Sequence, residues 1–256
     1  MNFDELSARC KAFEKRFTSD TLMPGIPIIA RLDGRAFHTF TRGLTKPFDF
    51  NLIEAMCETT AALVSEFNAA LGYTQSDEIT LVWFSENDSE LPFAGKLFKI
   101  NSLLASTCSV RFFKEVMNYL PHKAEKTPVF DCRTWQVPTV DEAALVLYWR
   151  ERDATRNSVN MLAQSLFSHR ELQNKSIPAV HDMLHDKGVN WNDLPARAKR
   201  GTYFNRILVE EELNLQDRTD IPEKFRINRM VTRSRVVEKD IPILRFDEDL
   251  SKQLFG

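Results

Sequence analysis

Two short runs of this 256-residue chain place carboxylates where they could hold a divalent metal. In the first, Ile28-Ile29-Ala30-Arg31-Leu32 leads to Asp33 and then Gly34; in the second, Gln75-Ser76-Asp77-Glu78 runs directly into Ile79-Thr80-Leu81-Val82-Trp83-Phe84. One acid ends a strand-like run and the other two begin one, so adjacent antiparallel strands would bring them to a single edge. Such oxygens suit Mg²⁺, which keeps water and phosphate oxygens among its ligands and could grip a triphosphate. Two ions about 3.5–4 Å apart can activate an attacking oxygen and stabilise a leaving pyrophosphate. His38, Lys46, Lys96 and Lys99 would then meet the triphosphate from outside the metals, and Gly34 would let backbone approach the phosphates. Spacing alone equally allows Asp33 to be a turn residue and Asp77-Glu78 a hairpin tip.

The elements that must position these groups follow from periodicity. Phe3, Leu6, Cys10, Phe13 and Phe17 alternate by three and four, which predicts an amphipathic N-terminal helix packed on the main body. Asp49 is placed to cap a helix carrying the apolar stripe Leu52, Ile53, Met56, Cys57, Thr60, Leu63, Val64 and Phe67, with Gly72 to end it. Tyr73 to Phe84 reads as a hairpin carrying Ser76-Asp77-Glu78 at its tip, and 85–89 as a surface loop. Leu97, Ile100, Leu103, Leu104, Thr107 and Cys108 predict a second core helix. Lys96 and Lys99 stand at its start, where cations oppose the helix dipole at about 0.3–1 kcal/mol each, so an anionic ligand would account for them.

Val129 to Val137 alternates as a strand with Asp131 and Arg133 on one face, and Pro138 ends it. Thr139-Val140-Asp141-Glu142 is a capping box opening a long helix, so the chain divides into 1–138 and 139–256. Along that helix Arg150, Asp153, Asn157, Asn160 and Gln164 form a polar stripe beside the apolar Leu145, Trp149, Val159, Leu162 and Leu166. Such a stripe is ordinarily a solvated face, but asparagine disfavours helix interiors, so Asn157 and Asn160 leave ligand or RNA contact open as the other reading. Ser176 and Pro178 begin a further helix that Gly188 ends, and Lys199-Arg200-Gly201-Thr202-Tyr203 leads into a strand.

Thirty-four basic against 36 acidic side chains leave a net charge of −2, so a polyanion must meet a local patch rather than a global field. Lys224, Arg226, Arg229, Arg233 and Arg235, uninterrupted by any acid, supply that patch and read as a phosphate-backbone footprint. Cys10, Cys57, Cys108 and Cys132 form no C-x-x-C pair and sit in apolar company, which predicts buried free thiols in a reducing compartment and no structural zinc. With no leader-like N-terminus and no membrane-length apolar run, the chain reads as cytoplasmic. The eight glycines form neither a dinucleotide fingerprint nor a P-loop. His181 and His185 are spaced like the histidines of a zinc protease, but the acid between them is one carbon short and no third ligand is evident.

Taken in order, Arg31-Leu32-Asp33-Gly34-Arg35-Ala36-Phe37-His38-Thr39-Phe40, Lys46-Pro47, Gln75-Ser76-Asp77-Glu78, Phe130-Asp131-Cys132-Arg133, Trp149-Arg150-Glu151-Arg152-Asp153 and Lys199-Arg200-Gly201-Thr202 resemble the tRNA-histidine guanylyltransferase family, and its bacterial-type guanylyltransferase-like members most. The resemblance implies an α+β fold with a polymerase/cyclase-like palm, an antiparallel sheet covered by helices. Residues 1–138 would be the catalytic palm, and 139–256 a helical and β region adding nucleotide and tRNA contacts. It implies that Asp33, the Gly34 carbonyl and Asp77 hold two Mg²⁺ ions, with Glu78 as a supporting acid. Gly34, Arg35, Ala36, Phe37, His38 and Ser76 would line the nucleotide pocket, and Lys46, Lys96 and Lys99 would hold triphosphate. Arg133, Arg150, Asp153, Asn157 and Lys199 match positions that handle nucleotide or RNA, with structural ion pairing within the helix as the rival account for Arg150 and Asp153.

The implied reaction runs polymerisation backwards: ATP or GTP activates a 5′-monophosphate, and the 3′-hydroxyl of an incoming nucleotide attacks that end. Partners implied are tRNA, nucleoside triphosphates and further copies of the chain in a tetramer. Thr155-Arg156-Asn157-Ser158 stands where the eukaryotic enzymes carry His-Ile-Asn-Asn, which favours template-dependent repair of 5′-truncated tRNAs over addition of the extra guanosine to histidine tRNA. A palm-fold nucleotide cyclase and a catalytically silent tRNA-binding module are the remaining alternatives. The extent of the similarity and the basic segment speak against the first, and the retained acids against the second.

Overall fold

The computed structural model describes residues 2–84, 91–216, 219–220, 222–225, 227–246 and 249–256. The expected loop at 85–89, and Arg226 of the basic segment, lie outside the described residues. In chain order the elements are α1 (Phe3–Thr18), β1 (Ile28–Gly34), α2 (Phe37–Phe40), α3 (Phe50–Glu66), β2 (Leu71–Gln75), β3 (Glu78–Trp83), α4 (Leu97–Tyr119), β4 (Phe130–Gln136), α5 (Val140–Gln164), α6 (His169–Leu172), α7 (Ile177–Asp186), α8 (Ala196–Lys199), β5 (Thr202–Leu213), β6 (Arg229–Lys239) and α9 (Leu250–Phe255).

Strand alternation separates two layers. Ile28, Ala30 and Leu32 point to the face covered by α3 and α4, where they meet Met56, Leu63, Val64, Ile100, Leu104 and Phe112. Ile29 points the other way, with Leu71, Tyr73 and Val82, against Ala143, Ala144 and Leu147 of α5. Arg31 and Asp33 share that second face. The sheet is antiparallel in the order β4-β1-β3-β2-β5-β6. It continues across residue 138, because β5 pairs with β2 from Thr202 to Asn205. Beyond Asn205, β5 pairs with β6 alone, so the two leave the sheet as a ribbon.

Asp49 caps α3, its carboxylate accepting from Leu52 N at 3.1 Å and from Thr45 N at 2.9 Å. Gly72 does not end that helix. Asn68, in the left-handed region at φ 52°, turns the chain, and Gly72 lies within β2, where a Cβ would come 2.5 Å from Val64 Cγ2. Helix α3 can therefore lie close on the sheet.

The first helix forms but buries no side chain among the described residues: α1 has a capping box at Asn2, with Phe3 80% and Phe17 71% exposed. Its stripe is amphipathic, but the body of this single chain offers it no face. Of the cysteines, Cys57 and Cys108 are buried and Cys132 is half-buried, whereas Cys10, on α1, is exposed. Burial pushes the Cys57 thiol up to about 11 and the Cys132 thiol to about 12, so both stay protonated at neutral pH. Trp149 and Leu166, expected in the apolar stripe of α5, are also exposed. Among the described residues no helix is long and apolar enough to cross a membrane.

Candidate active site

The β1–β3 register sets Asp33 opposite Glu78, on the α5 face of the sheet. Ser76 takes the left-handed conformation (φ 54°) in the tight turn between β2 and β3, and Gly34 N donates to Asp77 O at 3.0 Å. The three acids thus gather at one sheet edge, but in two environments. Glu78 is gripped by Arg150 from α5, whose Nε and Nη2 donate to its two oxygens at 2.6 and 2.9 Å. Arg31 Nε stands 3.9 Å from the same carboxylate, and Arg150 Nη2 is 3.4 Å from Asp153. Burial nonetheless holds the Glu78 carboxyl above its ordinary range, outweighing both guanidiniums.

Asp77 has no such partner. Burial pushes its carboxyl up, the Ser76 hydroxyl, 3.0 Å away, pulls it down, and the charge of Asp33 raises it again. Two repelling carboxylates whose donors to Asp77 are neutral, the Ser76 hydroxyl and a backbone N–H, form a hard oxygen set that fits a divalent cation. Among the described residues no group of three His, Cys, Asp or Glu could hold a metal, so backbone and substrate oxygens would have to complete the shell.

A cavity of about 390 Å³ opens over Asp33, Ser76 and Asp77, with Arg150, Asn157 and Asn160 on its α5 wall. Through Gln75, Ser76, Met161 and Gln164 it joins a second cavity of about 260 Å³ that reaches Thr41, Lys46 and Asp49. Asp49 accepts from Thr45 N beside Lys46, so the α3 cap also folds the loop carrying the lysine.

The loop after Asp33 is shaped by packing. Ala36 adopts the left-handed region (φ 54°), and Arg35 N donates to Val129 O at 2.8 Å. Phe37, expected to line the nucleotide pocket, is buried with its ring 5.1 Å from those of Phe40 and Phe130 and 5.5 Å from Phe112. Only its backbone is available to a ligand, whereas Arg35, Ala36 and His38 are exposed. Gly34 is required for this packing, since a Cβ would lie 2.3 Å from the Phe37 ring.

Several expected site residues are not brought here. Lys96 bridges to Thr21, and Lys99 lies over Phe93, whose ring meets Phe67; Phe67 O accepts from Trp83 Nε1. Trp83 pairs with Ile28, at the far end of β1 from Asp33, about 16 Å along the strand at 3.3 Å per residue. The α4 start therefore points away from the acids of its own chain. Lys199 donates to Asn192 O at 2.7 Å and lies over Trp191. His181 meets the Trp191 ring edge-on.

Arg133, 3.5 Å from Asp131, is on the site face but to the outer side, on edge strand β4. On the ribbon, Arg229, Arg233 and Arg235 share one face, and Glu211 pairs with Arg233 and Arg235. Lys224, Arg229 and Arg233 border a concavity of about 690 Å³ at its tip.

Two residues near the site gave no sequence signal of their roles. Glu151, buried, accepts from Tyr203 Oη at 2.8 Å, Arg200 Nη1 at 3.3 Å and Leu244 N at 3.4 Å, tying α5 to β5 and the C-terminal segment. The other is Trp149, 53% exposed, whose ring Arg150 and Arg31 both cover.

An antiparallel palm with acids at its strand ends and a groove running from them along a flanking helix defines a nucleotidyltransferase of the polymerase and cyclase architecture. Residues 7–138, just over half of the chain, match the family model described as Thg1, tRNAHis guanylyltransferase, and the chain belongs to that family. A probable tRNA(His) guanylyltransferase of Drosophila melanogaster is 30% identical over 218 residues, covering 79% of this chain and 74% of that one. The structure of a bacterial tRNA(His) guanylyltransferase-like protein in complex with ATP matches with a TM-score of 0.72 and 36% identity, over 79% of this chain and 87% of that one. One in complex with GTP matches at 0.68 and 32% identity, over 93% of each.

Proposed function

We propose that this nucleotidyltransferase adds a nucleotide to the 5′ end of tRNA, with histidine tRNA, the substrate in its relatives' names, as first candidate. The observation that carries the reading is the unbalanced pair Asp33 and Asp77 at the mouth of the groove that ends at Lys46. Asp33, Asp77 and the Gly34 carbonyl would hold Mg²⁺, two ions in the expected arrangement. When bound, the metal would neutralise phosphate charge and activate the attacking oxygen.

The chain's own groups do the rest. The amides of Asn157, Asn160 and Gln164, with the Ser76 hydroxyl, offer neutral hydrogen-bonding groups along the groove, suited to ATP or GTP. Lys46 places a cation at its far end, where it can meet phosphate oxygens. Arg150 neutralises Glu78, so that acid stays beside Asp33 without adding a second full charge. Lys224 and Arg229 on the ribbon suit the tRNA backbone. The uncovered apolar face of α1 supports assembly with further copies of the chain.

A second reading, template-dependent repair of 5′-truncated tRNAs, is favoured by Thr155-Arg156 on α5, beside Asn157 of the groove wall, and by the likeness to bacterial guanylyltransferase-like proteins. Purified protein with Mg²⁺ and labelled GTP or ATP should extend the 5′ end of one of two substrates. Extension of histidine tRNA but not of other, 5′-truncated tRNAs supports the first reading. The converse supports repair, and no product with either removes the proposal.

A further inference from the structure

We infer that Trp149 is a stacking platform for the nucleobase at the RNA 5′ end, a contact on the side of the acids opposite the nucleotide groove. The inference rests on the reading that RNA is the substrate and adds where its end lies. Trp149 sits one residue before Arg150 on α5 and is 53% exposed, although a tryptophan on a core-facing helix is normally covered. It is held in place: Arg150 Cζ lies 4.6 Å and Arg31 Cζ 6.0 Å from the ring centre. These are the two arginines that face Glu78, so the ring is anchored to the acid cluster itself. The two guanidiniums fix the indole, and more than half of the side chain stays open, which is the area on which a base would stack.

The surroundings suit RNA. Arg133, paired in register with Arg31 on the outer strand, is 57% exposed and offers a cation to phosphate. The groove to Lys46 leaves in the other direction, since Gln164 lies about 22 Å further along α5 from Trp149 at 1.5 Å per residue. A triphosphate nucleotide in that groove and an RNA end over Trp149 would meet at Asp33 and Asp77 from opposite sides. A purely structural role, in which the ring only braces Arg150, would show no dependence on the base.

The test is titration of the full chain with a 5′-phosphorylated acceptor-stem hairpin whose 5′-terminal nucleotide is either intact or abasic, followed by intrinsic fluorescence and by filter binding. The chain has four tryptophans, so the Trp149→Phe variant assigns the signal. The intact end should quench Trp149 emission and bind about tenfold more tightly than the abasic one. Trp149→Leu should abolish that preference, and Trp149→Phe should keep most of it while losing the quench.

A base preference that survives in Trp149→Leu, or a quench that survives in Trp149→Phe, overturns the platform. So does an equal quench by GTP or ATP alone, which would move the contact to the nucleotide. If the wild type extends tRNA but shows no difference between intact and abasic ends, the platform fails and the function stands. If the difference is seen but no nucleotide is added, the platform stands and the function fails.

Discussion

Replacing Arg150 with Met should expose how much the site depends on one clamp. The guanidinium makes two charge-assisted hydrogen bonds to Glu78, at 2.6 and 2.9 Å, and the side chains of the pair are only 16% and 17% exposed. Stranding one member of a fully buried pair costs about 3–5 kcal/mol, but here some water reaches the carboxylate, and Arg31 stays 3.9 Å away, so about 2–3 kcal/mol is expected at pH 7. In a chain of this size that lowers Tm by about 4–12 °C.

The loss should also depend on pH, with a determined sign. Burial already holds the Glu78 carboxyl above 4.5 in the folded state, and without Arg150 it rises further. A group raised on folding contributes stability that is full below its unfolded value and disappears as pH climbs through its folded value. The destabilisation should therefore be largest near neutrality and shrink toward pH 4.5, where the stranded acid takes a proton. Glu78→Gln in the Arg150→Met background should recover most of the loss and flatten its pH dependence. Urea unfolding across that pH range is the measurement. A loss under about 0.5 kcal/mol, or one that is constant with pH, would show that the clamp does not balance a buried charge.

Three further outcomes are expected. Asp77→Asn should raise stability near neutral pH in metal-free buffer, because the wild-type carboxyl is raised and contributes least when ionised, while abolishing nucleotide addition; unfolding and extension assays on one preparation would show whether the two effects separate. Gly34→Ala should cost about 1–3 kcal/mol, since the new methyl meets the Phe37 ring inside an aromatic cluster, and unchanged unfolding would mean that the ring is free to give way. The double change Lys224→Ala and Arg229→Ala should reduce the salt slope of tRNA binding by about two, and an unaltered slope would remove the ribbon from the interface.

Local chemistry carried the fold a long way. Asp49, Thr139, Ser176 and Gly188 marked helix ends because capping is decided within a few residues. The hairpin at Ser76 and the alternation of β1 and β3 fixed the two faces of the sheet, which is why the acids met as expected. What periodicity cannot tell is whether an apolar stripe finds a partner. The stripes of α1 and α3 look alike in sequence, yet one is bare and the other lies in the core. Nor does the order of motifs give distances: Lys96 follows the acids within twenty residues, but β3 carries the chain the length of the sheet before α4 begins.

The sharpest case is the adjacent pair Asp77 and Glu78. In sequence they form one acidic dipeptide, and either could be assigned to the metal. The strand begins between them, so Glu78 falls in register opposite Asp33 on the α5 face, within reach of Arg150, while Asp77 stays in the turn with its carbonyl accepting from Gly34 N. One residue of register therefore gives the two acids different work. Glu78 is spent on an arginine, and Asp77 is left short of positive charge beside Asp33. A cation with phosphate attached would correct that shortage better than any side chain present, because it brings the substrate with the charge. The same register bears on Trp149: the arginine that turns inward to meet Glu78 has a half-exposed helical neighbour, whose ring lies against that arginine's guanidinium.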